Sequence, residues 1–175
     1  MKHNIRFIRL ENPGPEVLEA FNRWENDPFI ISLSRPVRDD RELNAKCTLT
    51  LDNLAKRLIN QTIYLIYEKD RLIGEMNYQA DSGPLLKKEP GSAWISIVIG
   101  EEDCRNRGIG YIAMQYLEEH LKSEDIKRIE LGVFEFNIRA INLYKKLGYK
   151  EIGRIDNFTC RQGKMFQEIR MEKYI

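Results

Sequence analysis

The run Cys104-Arg105-Asn106-Arg107-Gly108-Ile109-Gly110 sets two glycines one residue apart, two arginines just upstream and an amphipathic stretch directly behind. Amides at a helix start carry partial positive charge and have no intrahelical acceptor. Glycine lets such a backbone approach a ligand closely. The chemistry these residues could do is therefore the seating of a phosphate. Gly108 to Ala113 also fits the dinucleotide fingerprint G-x-G-x-x-G/A, with Glu130 twenty residues after Gly110. Position counts against that reading. In the fingerprint the glycines follow a strand directly. Here the apolar run ends near Ile99, residues 100–104 intervene, and Glu130 falls inside a strand instead of at its carboxyl end.

The turn needs elements to hold it, and the patterning supplies them. Residues 5–10 read as a short apolar strand, and Asn12-Pro13-Gly14-Pro15 is a turn. Val17, Leu18, Phe21 and Trp24 give 16–25 helical spacing, and Pro28 disfavours helical geometry at Asp27. Residues 34–46 are charged and irregular, and Leu51, Leu54, Ala55, Leu58 and Ile59 predict a second helix over 50–60. Residues 63–68 and 71–78 pair as a hairpin through Lys69-Asp70. A polar loop over 81–91 precedes 93–99, whose β-branched content predicts a central strand. A helix runs from the glycine turn to about 122, followed by a strand over 126–134. A further helix over 137–147 is capped by Asn137 and Gly148, and strands over 149–155 and 164–171 close the chain. This order predicts one α/β domain over 1–175 with a mixed sheet.

Composition narrows the function classes. A chain of 175 residues can bury about 70% of its extended surface, enough for a proper core. With 28 basic and 27 acidic side chains the net charge is +1, which gives no field suited to nucleic acid. The three scattered cysteines, Cys47, Cys104 and Cys160, argue against a disulfide framework or a zinc cluster and for reduced, cytoplasmic thiols. No apolar run is long enough to span a membrane, and no signal peptide is evident at Met1.

A second block, Asn137-Ile138-Arg139-Ala140-Ile141-Asn142-Leu143-Tyr144-Lys145-Lys146-Leu147-Gly148-Tyr149, lies one strand and one turn after the first helix. Together, R-x-x-G-x-G and N-x-x-A-x-x-L-Y-x-x-L-G-Y resemble the GNAT superfamily of acyl-coenzyme A-dependent N-acyltransferases over residues 93–149. The resemblance implies a mixed, largely antiparallel sheet with a central splayed parallel strand pair, flanked by about four helices. It implies acetyl-CoA as acyl donor, its pantetheine arm paired with the backbone of Ile97, Val98 and Ile99. It places the pyrophosphate on Arg105, Asn106, Arg107, Gly108, Ile109 and Gly110, a cofactor contact at Asn137, and a proton donor to the departing thiolate at Tyr144. The acceptor would be a small-molecule or protein amine, attacked directly in a ternary complex without an acyl-enzyme. No metal is implied, and a homodimer is plausible by analogy.

A phenol with pKa about 10 suits proton donation to sulfur, although Ala140, Ile141, Tyr144 and Leu147 also share a helical face that could simply be core. An amine of pKa about 10.4 is neutral about once in 2,500 at pH 7, near 4.6 kcal/mol, so burial or a carboxylate must assist. The strand before the glycine turn offers only Ser96 as a polar side chain, and Gly132 stands where some relatives carry a carboxylate. Glu75, on the preceding strand, is the candidate base, with a salt-bridged strand residue as the alternative. His120 reads as a boundary histidine and Cys104 has no histidine partner. The charge run from Arg35 to Arg41 and the stretch 24–29 fall where the resemblance places the acceptor pocket. A non-catalytic acyl-CoA sensor of the same fold is the alternative function.

Overall fold

Seven strands hydrogen-bond in the order β1-β2-β3-β4-β5-β7-β6. They are β1 (Ile5–Arg9), β2 (Thr62–Glu68), β3 (Arg71–Ala80), β4 (Ser92–Ile99), β5 (Arg128–Phe134), β6 (Lys150–Arg161) and β7 (Lys164–Tyr174). The structure is a computed structural model and describes residues 4–175. All neighbours run antiparallel except β4 and β5. That parallel pair keeps only three register partners, Ser92 with Arg128, Ala93 with Ile129 and Trp94 with Glu130. Beyond Trp94 the strands part. β4 stays bonded to β3 as far as Ile99, and β5 to β7 as far as Phe134. A wedge thus opens in mid-sheet, as the splayed-pair expectation requires.

Parallel neighbours need a long crossover. It is supplied by a 3-10 turn (Glu102–Cys104) and helix α5 (Ile109–Ser123). α5 buries Ile109, Ala113, Met114, Leu117 and Leu121 against one sheet face. Helix α6 (Ile138–Lys146) buries Ile141 and Tyr144 in the same core. The opposite face packs on α1 (Pro15–Glu25) and α4 (Leu51–Asn60), through Phe21, Trp24, Leu54, Ile63, Leu65 and Leu72. No helix among the described residues is long and apolar enough to cross a membrane.

Two helices exceed the expected four: α2 (Pro28–Ser34) and the one-turn α3 (Asp40–Leu43). Pro28 does stop α1, but it also begins α2 as an N-terminal proline, with Asp27 accepting the Phe29 N–H at 2.8 Å. Asp39 caps α3 in the same way, accepting from Arg41 and Glu42 at 2.8 and 3.0 Å. Asp27-Pro28 and the charged stretch 34–46 thus also hold helix starts. β6 also runs past the expected end at 155, because Asp156-Asn157 forms a bulge (Asn157 φ 50°) and pairing with β7 resumes at Thr159.

Candidate functional site

A cleft of about 470 Å³ fills the wedge between β4 and β5. From Ile99 at its mouth to Trp94 it follows β4 over five residue steps, roughly 17 Å at ~3.3 Å per step. Its two ends have different chemistry.

The mouth is the glycine turn. Gly108, at φ 80°, is the N-cap of α5, a conformation that asks for glycine. The Tyr111 and Ile112 amides return to the Gly108 carbonyl at 3.1 and 3.2 Å. The Ile109 and Gly110 amides, first in the helix, have no acceptor among the described residues. Asn106 is left-handed at φ 62°. Gly108, Ile109, Gly110, Asn106 and Arg105 all line the cleft, as do Ile97, Val98, Ile99, Asn137 and Tyr144. Asn137 is the N-cap of α6, accepting from the Ala140 amide at 3.3 Å.

The two arginines of the turn are spent on its shape. Arg105 donates to the Ile99 and Gly100 carbonyls (3.1 and 2.5 Å) and to Asp27 Oδ2 (2.6 Å), and its guanidinium lies 4.7 Å above the Phe29 ring. This bolts the start of α2, and so one wall of the cleft, to the end of β4. Burial opposes ionisation of Asp27, but Arg105 and the capped amides hold its carboxyl below the usual range. Arg107 pairs with Glu68 at 2.7 and 2.9 Å and is not among the lining residues. Exposed Arg139, by contrast, lines the cleft and offers it a cation.

Inward from the turn, side chains reach the cleft from both faces of the sheet. Tyr144 comes from the α5/α6 side, 8% exposed, and its hydroxyl has no hydrogen-bond partner among the described residues. Burial alone pushes its pKa up to about 12, so the phenol stays protonated at neutral pH. From the other face come Trp94, Ser96, Gly132, Phe134 and Glu168, walled by Phe29, Ile30, Leu33, Ser34 and Pro36 of the α2 segment. Glu168 is the one carboxylate among the lining residues. Burial raises its pKa, with Arg170 opposing and Glu130 adding to the rise.

Glu75 sits elsewhere. It belongs to a side chamber of about 40 Å³ behind Val98, and both its oxygens accept from Arg57 at 3.1 and 3.2 Å. Burial raises its pKa while Arg57 pulls it down. The chamber shares Ile30, Ser34 and Val98 with the cleft. Glu130, the acidic residue of the dinucleotide reading, is 0% exposed and accepts from the Leu86 amide (2.6 Å), Arg128 and Arg170 (3.4 Å). His120 Nε2 lies 2.8 Å from the Tyr64 hydroxyl, outside the cleft. Cys104 is buried with its thiol pKa raised by that burial, which does not suit a nucleophile.

A mid-sheet wedge with a glycine turn at its mouth and a buried phenol in its lining is the arrangement expected from the resemblance to the GNAT acyltransferases. The profile of the Acetyltransferase (GNAT) family matches residues 18–149, and the chain belongs to that family. The spermine/spermidine N(1)-acetyltransferase of Bacillus subtilis (strain 168) is 34% identical over 93 residues, 53% of this chain and 60% of that protein. A GNAT-family acetyltransferase from Streptococcus pneumoniae superposes with TM-score 0.75 at 22% identity, covering 98% of this chain and 100% of that one. The spermidine N-acetyltransferase of Vibrio cholerae, solved in complex with CoA and spermine, gives TM-score 0.75 at 17% identity over 97% and 95% of the two chains. At these identities the solved structures establish the fold.

Proposed function

We propose that the protein is an N-acetyltransferase that moves the acetyl group of acetyl-CoA to a primary amine, by direct attack in a ternary complex. The observation that carries this reading is one cleft that joins the glycine turn, the open edge of β4 and the Tyr144 hydroxyl. The residues fit the donor. Past Trp94 the backbone of β4 has lost β5 as a partner, so residues 95–99 can pair with an amide-bearing arm. The unpaired Ile109 and Gly110 amides and the Arg139 cation suit a diphosphate. Acetyl-CoA would supply the activated acyl group. This chain's residues would orient it, exclude water and give the sulfur a hydrogen bond from Tyr144. A small polyamine is the proposed acceptor class, supported by the names of the relatives in Bacillus subtilis and Vibrio cholerae. The sequence match spans only 60% of the first of these, so the acceptor is the point to test.

The direct experiment is acetyl-CoA turnover with spermidine, spermine and a simple diamine, followed by thiol release. Turnover of a polyamine supports the reading. Acetyl-CoA binding without turnover across the panel would favour a sensor. A second test probes the mouth. A Cβ at Gly110 would meet only Leu143 Cδ2, at 3.4 Å. Gly110→Val is therefore expected to keep the fold, checked by an unchanged Tm, while setting a branched side chain beside the proposed phosphate seat. We expect coenzyme A affinity to fall by about tenfold or more, a loss near 1.4 kcal/mol, with calorimetry as the measurement. Unchanged affinity would remove the phosphates from this turn.

A further inference from the structure

Acetyl transfer needs somewhere for the acceptor's proton to go, and neither strand edge of the wedge provides a carboxylate, with Ser96 on β4 and Gly132 on β5. The space over Gly132 is nevertheless taken. A Cβ there would overlap Glu168 Oε1 and stand 2.6 Å from Glu168 Cδ and 2.9 Å from Trp94 Cη2. Glu168 lies on β7, paired with Phe134 of β5, and lays its carboxylate across the bare Cα of Gly132 into the cleft. Oε2 is held by Arg170 Nε at 2.5 Å. Arg170 is itself anchored, donating to the Pro84 carbonyl at 2.6 Å and lying 4.5 Å over the Trp94 ring. Oε1 has no hydrogen-bond partner among the described residues. The glycine and the glutamate thus work as a unit, with one strand clearing the site and the next filling it with an oriented carboxylate.

We infer that Glu168, admitted by Gly132, is the group that binds the acceptor's ammonium and takes its proton. This rests on the acetyl-transfer reading above. The setting suits a cation: Trp94 and Phe134 line the cleft beside Glu168, and aromatic faces attract ammonium groups. The step balances as follows. The ammonium R–NH3+ gives one proton to Glu168, which passes it to water. The neutral nitrogen forms an N–C bond to the acetyl carbon as the C–S bond breaks. The sulfur leaves with the electron pair and takes a proton from Tyr144. The second proton lost by nitrogen restores the phenol. The products are the acetamide, the free thiol of coenzyme A and one proton in solution. Base and acid approach from opposite faces of the sheet, which the wedge alone makes possible.

The test uses the full chain, acetyl-CoA and spermidine. Glu168→Gln is expected to lower kcat/KM for the amine by about 10- to 100-fold near neutral pH. Spermidine binding to the coenzyme A complex should weaken in the same variant, while acetyl-CoA affinity and Tm hold. Gly132→Ala, which leaves every charge in place, should show the same selective loss because its methyl displaces the carboxylate. Wild-type kinetics in Glu168→Gln would overturn this inference and leave acetyl transfer standing, as would a parallel loss of acetyl-CoA affinity or Tm, the mark of a structural residue. A loss in Glu75→Gln with Glu168→Gln active would move the role to Glu75. A wild-type protein that neither acetylates nor binds spermidine would overturn the acetyl-transfer reading and this inference with it.

Discussion

Tyr144→Phe is expected to lower kcat by about 10²- to 10³-fold with little change in coenzyme A affinity or in Tm. The magnitude is that of losing one hydrogen-bond donor aimed at developing charge in a water-poor site. Stability should hold because the hydroxyl has no partner among the described residues, so its removal breaks no bond within the fold. The ring, packed 5.9 Å from Tyr149, stays in the core. The sequence alone suggests a phenol of ordinary acidity, closely matched to a thiol. Burial changes that: with a pKa near 12, Tyr144 holds its proton more tightly than a thiol would. In the proposed reaction its work is therefore to stabilise the departing thiolate by donation, with the proton moving late. Two readouts follow. Activity should not decline through deprotonation of this group anywhere between neutral pH and about pH 11. A thioester of a more acidic thiol should also show a smaller Tyr144→Phe defect, because its leaving group needs less help. An equal defect with both donors would mean that the ring positions the arm and the hydroxyl does no chemistry.

What was legible in the chain followed from local rules. Gly108 marked the helix start because its left-handed N-cap conformation demands glycine, while the space beside Gly110 stays open. The Asn137 cap and the apolar spacing of Ile141 and Tyr144 marked α6. β-branched runs marked β2 and β4. The placement of Glu168 in the cleft was harder to read for a different reason. Glu168 lies 36 residues beyond Gly132, and only the β5–β7 register brings them together. A missing carboxylate can be noted in a sequence, but the strand that replaces it depends on sheet order. The same limit governs Arg105 and Arg107, whose charges suggest phosphate until Asp27 and Glu68 are found beside them. Glu75 seemed available for the complementary reason, since nothing in the sequence places Arg57 of α4 across from it. A signal for α2 was present in Asp27-Pro28-Phe29, where an acidic cap and an N-terminal proline coincide.

Arg128→Ala is expected to destabilise the protein by about 3–5 kcal/mol, the usual cost of stripping one partner from a buried ionic cluster. For a chain of this size that lowers Tm by on the order of 10 °C. Arg128 opens β5 with a side chain only 2% exposed. It donates to Glu130, to Glu172 Oε2 at 2.7 Å, to Ser92 Oγ at 3.1 Å and to the Lys87 carbonyl at 3.2 Å. Without it Glu130 keeps the Leu86 amide and Arg170, but its charge is poorly compensated in a site that water does not reach. Adding Glu130→Ala should therefore restore part of the loss, a coupling of about 0.5–3 kcal/mol. Burial works against ionisation of Glu172, yet Lys87 and Arg128 hold its pKa below the ordinary value. Its contribution is thus present at neutral pH and fades as acid brings the pH down through the ordinary carboxylate range and below. Arg128→Ala should flatten that part of the acid-unfolding curve. The consequence reaches the cleft, because Ser92 and Arg128 form the first of the three pairs that close the wedge. With the apex loosened, β4 and β5 can shift relative to each other, and the distance between Tyr144 and Glu168 is no longer fixed. At a temperature where Arg128→Ala remains folded, kcat should fall while Gly110-dependent coenzyme A affinity persists. A denaturation midpoint within about 1 kcal/mol of wild type would show that the cluster is hydrated and that apolar packing alone holds the apex.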